Sequence, residues 1–169
     1  MTKDEFTQKT LDSEQMLYRI SMSMLKNNAD CEDAVQQTIL TAYKRLNSLK
    51  HEEYFRTWIT RILINECNKI LNDRKHTAPL EVIESRSDDT FTHNTELKEA
   101  INSLSPKLRV VIVMKYSEGF SIEEISRALK IPEGTVKSRL SQAKDKLKEI
   151  LGDNDDGSGH TLVNMKLIV

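Results

Sequence analysis

The chain has 169 residues, 30% of them charged and 38% hydrophobic, with five glycines and three prolines. That is the length of one medium domain or two small ones, and so few turn residues argue against an all-β sandwich. Its 25 basic and 26 acidic residues leave a net charge of −1, which excludes a global basic field, so any recognition of nucleic acid has to be local.

Helical periodicity is the first pattern along the chain. From Ser13 to about Arg74 apolar residues recur in three stripes. Met16, Leu17, Ile20 and Met24 make the first, and Val35, Ile39, Ala42, Tyr43 and Leu46 the second. Trp58, Ile59, Ile62, Leu63, Cys67, Ile70 and Leu71 make the third, with Trp58 read mainly as core. The spacing predicts three main helices, broken near Asn27–Asp30 and near Asn47–Glu53. No apolar run approaches the roughly 18 residues of a membrane span, and the N-terminus lacks the apolar core of a secretory signal. Cys31 and Cys67 match no metal or CxxC spacing, and the four histidines are scattered. The expectation is two reduced, buried thiols in a cytoplasmic protein, with no metal, no other cofactor and no membrane insertion.

Residues 76–94, "HTAPLEVIESRSDDTFTHN", interrupt the pattern. They hold Glu81, Glu84, Asp88 and Asp89 against Arg86 alone and read as an extended acidic linker. At roughly 3.3–3.6 Å per residue it spans about 60 Å at most.

Periodicity then resumes. Leu97, Ala100, Ile101 and Leu104 predict a short helix. Ser105-Pro106 has the form of an N-cap followed by proline in the first turn, opening a helix with Val110, Val111, Val113 and Met114 that Glu118-Gly119 stops. Ser121 and Glu124 have capping-box spacing ahead of Ile122, Ile125, Ala128 and Leu129, and a tight break at Lys130–Pro132 leads into a last helix ending near Leu151. Residues 152–169 are acidic, then Gly/Ser-rich, then weakly apolar, and are expected to form a disordered tail.

A capped helix, a turn of three or four residues and a second helix are the spacing of a helix-turn-helix. On a wheel at 100° per residue, Val136, Leu140, Ala143 and Leu147 share one face. Ser138, Ser141, Gln142 and Asp145 point away from it, with Lys137 and Arg139 on opposite flanks. Short polar side chains let a helix approach base edges, Gln142 is long enough to donate and accept there, and the flanking cations reach phosphates. Glu133 suits the helix N-terminus, and Gly134 leaves amides open to a phosphate. The same wheel also describes an ordinary solvated helix.

"SIEEISRALKIPEGTVKSRLSQAKDKL" resembles the C-terminal helix-turn-helix domain, σ4, of bacterial extracytoplasmic-function (ECF) sigma factors. "LYRISMSMLKNNADCEDAVQQTILTAYKRL" followed by "FRTWITRILINECNKIL" resembles the σ2 domain of the same family. The match runs from about residue 14 to 151. It implies an all-α fold of two small helical domains: a σ2-like bundle over residues 1–75 and a σ4-like domain over residues 95–151, joined by the linker. It implies an alternative sigma factor, not an enzyme, that directs promoter-specific initiation. Its partners would be core RNA polymerase (β′ clamp helices and β flap), promoter DNA and a sequestering anti-sigma factor, with no small-molecule substrate. Asp33, Gln36 and Gln37 match the surface docking on the β′ clamp helices, although the family usually has an acidic residue where Gln37 stands. Trp58 and Asn65 match the −10 region, Asn65 helping to form a pocket for a flipped base. Lys50, His51 and Phe55 belong to the loop lining that pocket, and Arg56, Arg61 and Lys69 would meet phosphates. Thr135, Lys137, Ser138, Ser141 and Gln142 fall on the stretch that reads the −35 element, with Arg139 and Lys144 as backbone contacts. Gln142 replaces the arginine common in the family, which implies a shifted −35 preference.

Overall fold

The computed structural model describes residues 1–77 and 95–152, and every regular element among them is helical. Most of the expected linker, residues 78–94, and the expected tail, residues 153–169, lie outside the described residues.

The helices fall into two compact units. The first holds α1 (Lys3–Leu25), α2 (Asn28–Lys44) and α3 (Phe55–His76), with single 3-10 turns at Leu46–Ser48 and Glu52–Tyr54 between α2 and α3. α1 starts well before Ser13, where the periodicity placed its beginning. The reason is a capping box: the Glu5 amide donates to the Thr2 hydroxyl at 3.2 Å, and the Thr2 amide donates to the Glu5 carboxylate at 2.6 Å. Such a cap contributes about 1 kcal/mol. It extends the buried stripe back to Phe6 and Thr10.

Lys26 ends α1 in the left-handed region (φ 53°), its amide donating to the Met22 carbonyl. Asn27 then caps α2, accepting from the Asp30 amide at 2.9 Å. The three stripes meet in a core where Leu17, Ile20, Cys31, Ala42, Ile59, Leu63 and Cys67 are fully buried. Each large aliphatic side chain there contributes roughly 1.5–3 kcal/mol. Tyr43 departs from the expected stripe: it lies half-exposed, with its ring 5.8 Å from that of Phe6. At the far end the Arg74 guanidinium donates to the Leu25 carbonyl at 3.0 Å and pairs with the Asp30 carboxylate. The last turn of α3 thereby closes the corner between α1 and α2.

The second unit is built on α4 (Thr95–Ser103), α5 (Pro106–Ile112) and α7 (Glu133–Leu151), with the start of α6 (Ile122–Leu129). Pro106 occupies the first turn of α5 as expected, but the Ser105 side chain makes no capping bond. Its backbone carbonyl instead accepts from the Leu108 and Arg109 amides. Arg109 is 3% exposed and reaches back to the end of α4, donating to the Leu104 carbonyl at 2.7 Å and the Asn102 carbonyl at 3.2 Å. Burial lowers its pKa to about 10, so the group stays cationic at neutral pH and serves the carbonyl end of α4. After Ile112 the chain widens into a π turn, Val113–Ser117, before Gly119 (φ +70°) reverses it and buries the Phe120 ring.

Candidate nucleic-acid interface

The second unit presents its candidate residues on α7. The capping box at the head of α6 is complete: the Ser121 amide donates to Glu124 at 2.7 Å, and the Glu124 amide donates to the Ser121 hydroxyl at 3.1 Å. The turn into α7 is held by Ser126, whose hydroxyl donates to the Ile131 carbonyl at 2.6 Å while its own carbonyl accepts from the Ile131 amide at 3.2 Å. Lys130 adopts the left-handed conformation (φ 55°) that such a turn requires. Pro132 stands at the N-cap, so no side chain closes the first-turn amides of α7, and a side chain added at Gly134 would meet only open space.

Val136, Leu140, Ala143 and Leu147 are the four buried residues of α7. Lys137, Ser138, Ser141 and Gln142 are exposed, and Thr135, Arg139 and Lys144 are part-exposed. The Gln142 amide makes only a long 3.5 Å contact with the Ser138 hydroxyl, near the outer limit of a hydrogen bond and easily exchanged for an external partner. The Lys144 ammonium lies 5.4 Å above the ring of Tyr116, a residue of the π turn. The role of that ring was not read from the sequence, because its partner is 28 residues away and periodicity carries no such signal.

In the first unit, Arg61 and Asn65 are exposed one turn apart on α3, on the same face as the half-buried Trp58. Lys50 and His51 are exposed on the preceding loop. The His51 ring packs edge-on against Tyr54 at 5.9 Å, with Nδ1 4.0 Å from Glu53. One of the expected −10 contacts lies away from the surface. Phe55 is only 5% exposed: its ring packs against Phe6 at 6.1 Å and Trp58 at 6.0 Å, so it belongs to the core and is not offered to a base. Lys69 stays on the surface, its side chain 68% exposed, with its ammonium 2.9 and 3.1 Å from the oxygens of the buried Glu66 carboxylate. Arg56 is part-buried, with Nε 3.4 Å from the Met16 sulfur.

Asp33, Gln36 and Gln37 are exposed on α2, opposite the buried Cys31, Ala34, Val35 and Thr38. Leu40, 55% exposed, continues that outer face by helical spacing; the sequence reading passed over it because it is a lone apolar residue outside the buried stripe. Among the described residues no group of three His, Cys, Asp or Glu side chains is placed to hold a metal, and no helix is long and apolar enough to cross a membrane.

Comparison with known proteins divides the chain in the same place. A Sigma-70 region 2 family model matches residues 12–77, and a Sigma-70 region 4 model matches residues 94–147. The ECF RNA polymerase sigma factor SigM of Mycobacterium tuberculosis is 31% identical over 140 residues, covering 80% of this chain and 71% of the relative. The RNA polymerase sigma factor SigV of Bacillus subtilis is 29% identical over 136 residues, covering 78% and 82%. Among solved structures, the sigma factor RpoE in complex with the anti-sigma factor NepR, from Bartonella quintana, superposes with a TM-score of 0.75 at 25% identity over 89% of this chain and 99% of that one. CnrH, in complex with the cytosolic domain of CnrY, shares the fold with a TM-score of 0.67 at 21% identity, covering 91% and 92%.

Proposed function

We infer the working of this protein from its membership in the ECF RNA polymerase sigma factor family, to which the chain belongs. It binds core RNA polymerase and promoter DNA and directs promoter-specific initiation. It carries no catalytic role of its own, since the polymerase supplies the chemistry, and it acts in the cytoplasm.

The −35 element is read by α7. The observation that carries this assignment is the separation of its faces: a fully apolar spine inward, and Ser138, Ser141 and Gln142 outward between Lys137 and Arg139. Short side chains admit the helix to the major groove, and the flanking cations reach phosphates without dictating sequence. Gln142 suits adenine, whereas the arginine common in the family suits guanine, a difference of roughly 1–3 kcal/mol per bidentate pair. The −35 preference of this protein is therefore shifted toward adenine at the base that Gln142 meets.

The first unit, residues 1–75, docks on polymerase and reads the −10 element. Asp33, Gln36 and Gln37, with Leu40 beside them, form the polymerase-facing surface of α2. Asn65 and the loop bearing Lys50 and His51 receive an unstacked base, with Trp58 at the margin and Arg61 on the phosphates. Capturing a flipped base offsets part of the cost of opening the duplex. Residues 76–94 space the two readers. A net charge of −1 leaves the free protein a weak DNA binder, because non-specific affinity scales with phosphates neutralised, so specificity emerges in the holoenzyme. The complex of the Bartonella quintana relative with an anti-sigma factor supports a similar sequestering partner for this chain.

In vitro transcription with core polymerase on a promoter library, with and without the full chain, tests this function. Transcripts from a small promoter set that appear only with the chain are the expected result. Duplex binding by the chain without polymerase at physiological salt, and no change in transcription, would instead describe a stand-alone repressor-like regulator. No effect of Lys137→Glu on any transcript would leave only a protein-binding adaptor.

A further inference from the structure

We propose that Phe6 and Lys9, on the first turns of α1, are positioning residues for the −10-reading loop; this rests on the assignment above that the loop bearing Lys50 and His51 contacts the promoter. The loop has little of its own to fix it. It consists of two isolated 3-10 turns, neither with a side-chain cap, and α3 begins at Phe55 with no side-chain cap either. What it has is a set of contacts to the start of α1. The Lys9 ammonium lies 3.5 Å from the Glu52 carboxylate and 5.9 Å from the Phe55 ring centroid. The Phe6 ring, buried, meets the Phe55 ring edge-on at 6.1 Å and the Tyr43 ring at 5.8 Å. The Met1 ammonium adds a second cation, 2.9 Å from Glu52.

These contacts bracket the loop. Tyr43 precedes it at the end of α2, Glu52 is in its second turn directly after Lys50 and His51, and Phe55 closes it. The start of α1 touches all three. Opening of the loop then requires Glu52 to leave Lys9 or Phe55 to leave Phe6, and His51, which rests on Tyr54, moves with them. The capping box formed by Thr2 and Glu5 keeps this end of α1 from fraying and so holds Phe6 and Lys9 in register.

Hydrogen exchange of the full chain and promoter selection with the reconstituted holoenzyme test the proposal together. Glu52→Gln and Lys9→Met are expected to speed amide exchange over residues 47–55 by about two- to five-fold, the scale of an exposed ion pair. Phe6→Leu keeps an apolar residue in the core, loses the ring–ring contact and is expected to speed it by about two- to ten-fold. All three are expected to broaden the selected −10 sequences while leaving the −35 sequences and core polymerase affinity as they are, and Lys9→Arg is expected to restore the wild-type −10 profile. Lys50→Ala and His51→Ala serve as direct probes of the loop. If these two alter −10 selection while the α1 and Glu52 variants leave it unchanged, the positioning role is overturned and the loop assignment stands. If none of the variants alters −10 selection, the loop assignment itself is wrong and the positioning role falls with it.

Discussion

The two units hold their outward-facing residues by opposite means. In the first, the ties join residues far apart in the chain: Lys9 with Glu52, Phe6 with Phe55, and Arg74 with Leu25 and Asp30. In the second, most are local. Ser121 and Glu124 cap each other, Ser126 closes the turn onto Ile131, and Arg109 caps the helix just before its own. Local ties close short loops at small entropic cost, so a helix-turn-helix is largely specified by its own segment. The proposed −10-reading loop of the first unit instead is tied to a side chain more than 40 residues away in sequence. The contrast teaches that substitutions remote from the DNA should disturb the first reader, while the second should yield mainly to changes within it.

The largest expected effect is at Arg109. Arg109→Ala strips the end of α4 of the guanidinium serving the Leu104 and Asn102 carbonyls and leaves a cavity. It should lower the stability of the second unit by about 3 kcal/mol, read as lost amide protection in α4 and α5. An effect under about 1 kcal/mol would mean that the local cap is not what holds this unit.

A pH titration sharpens the comparison next. Burial pushes the Cys67 thiol up to about 12 from 9.0, and burial raises the Cys31 thiol in the same direction. Between about pH 9 and 12 the unfolded chain gives up a proton that the folded one keeps, so stability from these thiols is complete below pH 9 and is lost as pH rises. By linkage the Cys67 contribution alone falls by on the order of 1 kcal/mol by pH 10. Both cysteines lie in the first unit, so denaturant unfolding followed through the Trp58 fluorescence should show this slope. Cys67→Ala should remove most of it. A wild-type curve flat to pH 10 would show that the thiol is reached by solvent.

The smallest effect concerns the cap of α6. Ser121→Ala should cost about 1 kcal/mol and speed exchange at the first amides of α6, with no change in the loop at residues 47–55. A change in that loop would break the distinction between the two modes.

The same contrast explains what was legible in the sequence. All four buried residues of α7, its exposed polar face, the α6 capping box and the Lys130 turn could be read from spacing because each is a property of one short segment. The start of α1 was also present, as the string Thr2-Lys-Asp-Glu5, but the apolar stripe was read only from Ser13. Phe55 is expected on the DNA face because the family resemblance places it in the pocket-lining loop. Only the three-dimensional proximity of Phe6 turns it inward. Lys69 is expected to meet a phosphate and is exposed, but nothing in a helical wheel says that Glu66, three residues earlier, is buried and pairs with it. The roles of Arg74 and Arg109 carry no signal in the sequence, because they bond backbone carbonyls that no side-chain pattern reveals.

The central claim, that α7 reads the −35 element through its outward face, is tested most directly at Gln142. Promoter libraries randomised across −35 are transcribed by holoenzyme carrying either the natural chain or Gln142→Arg, and the selected sequences are compared. The account predicts that one −35 position moves from adenine to guanine with Gln142→Arg, by roughly the 1–3 kcal/mol of a bidentate contact, while the −10 sequence does not change. Identical −35 selections from the two proteins would contradict it.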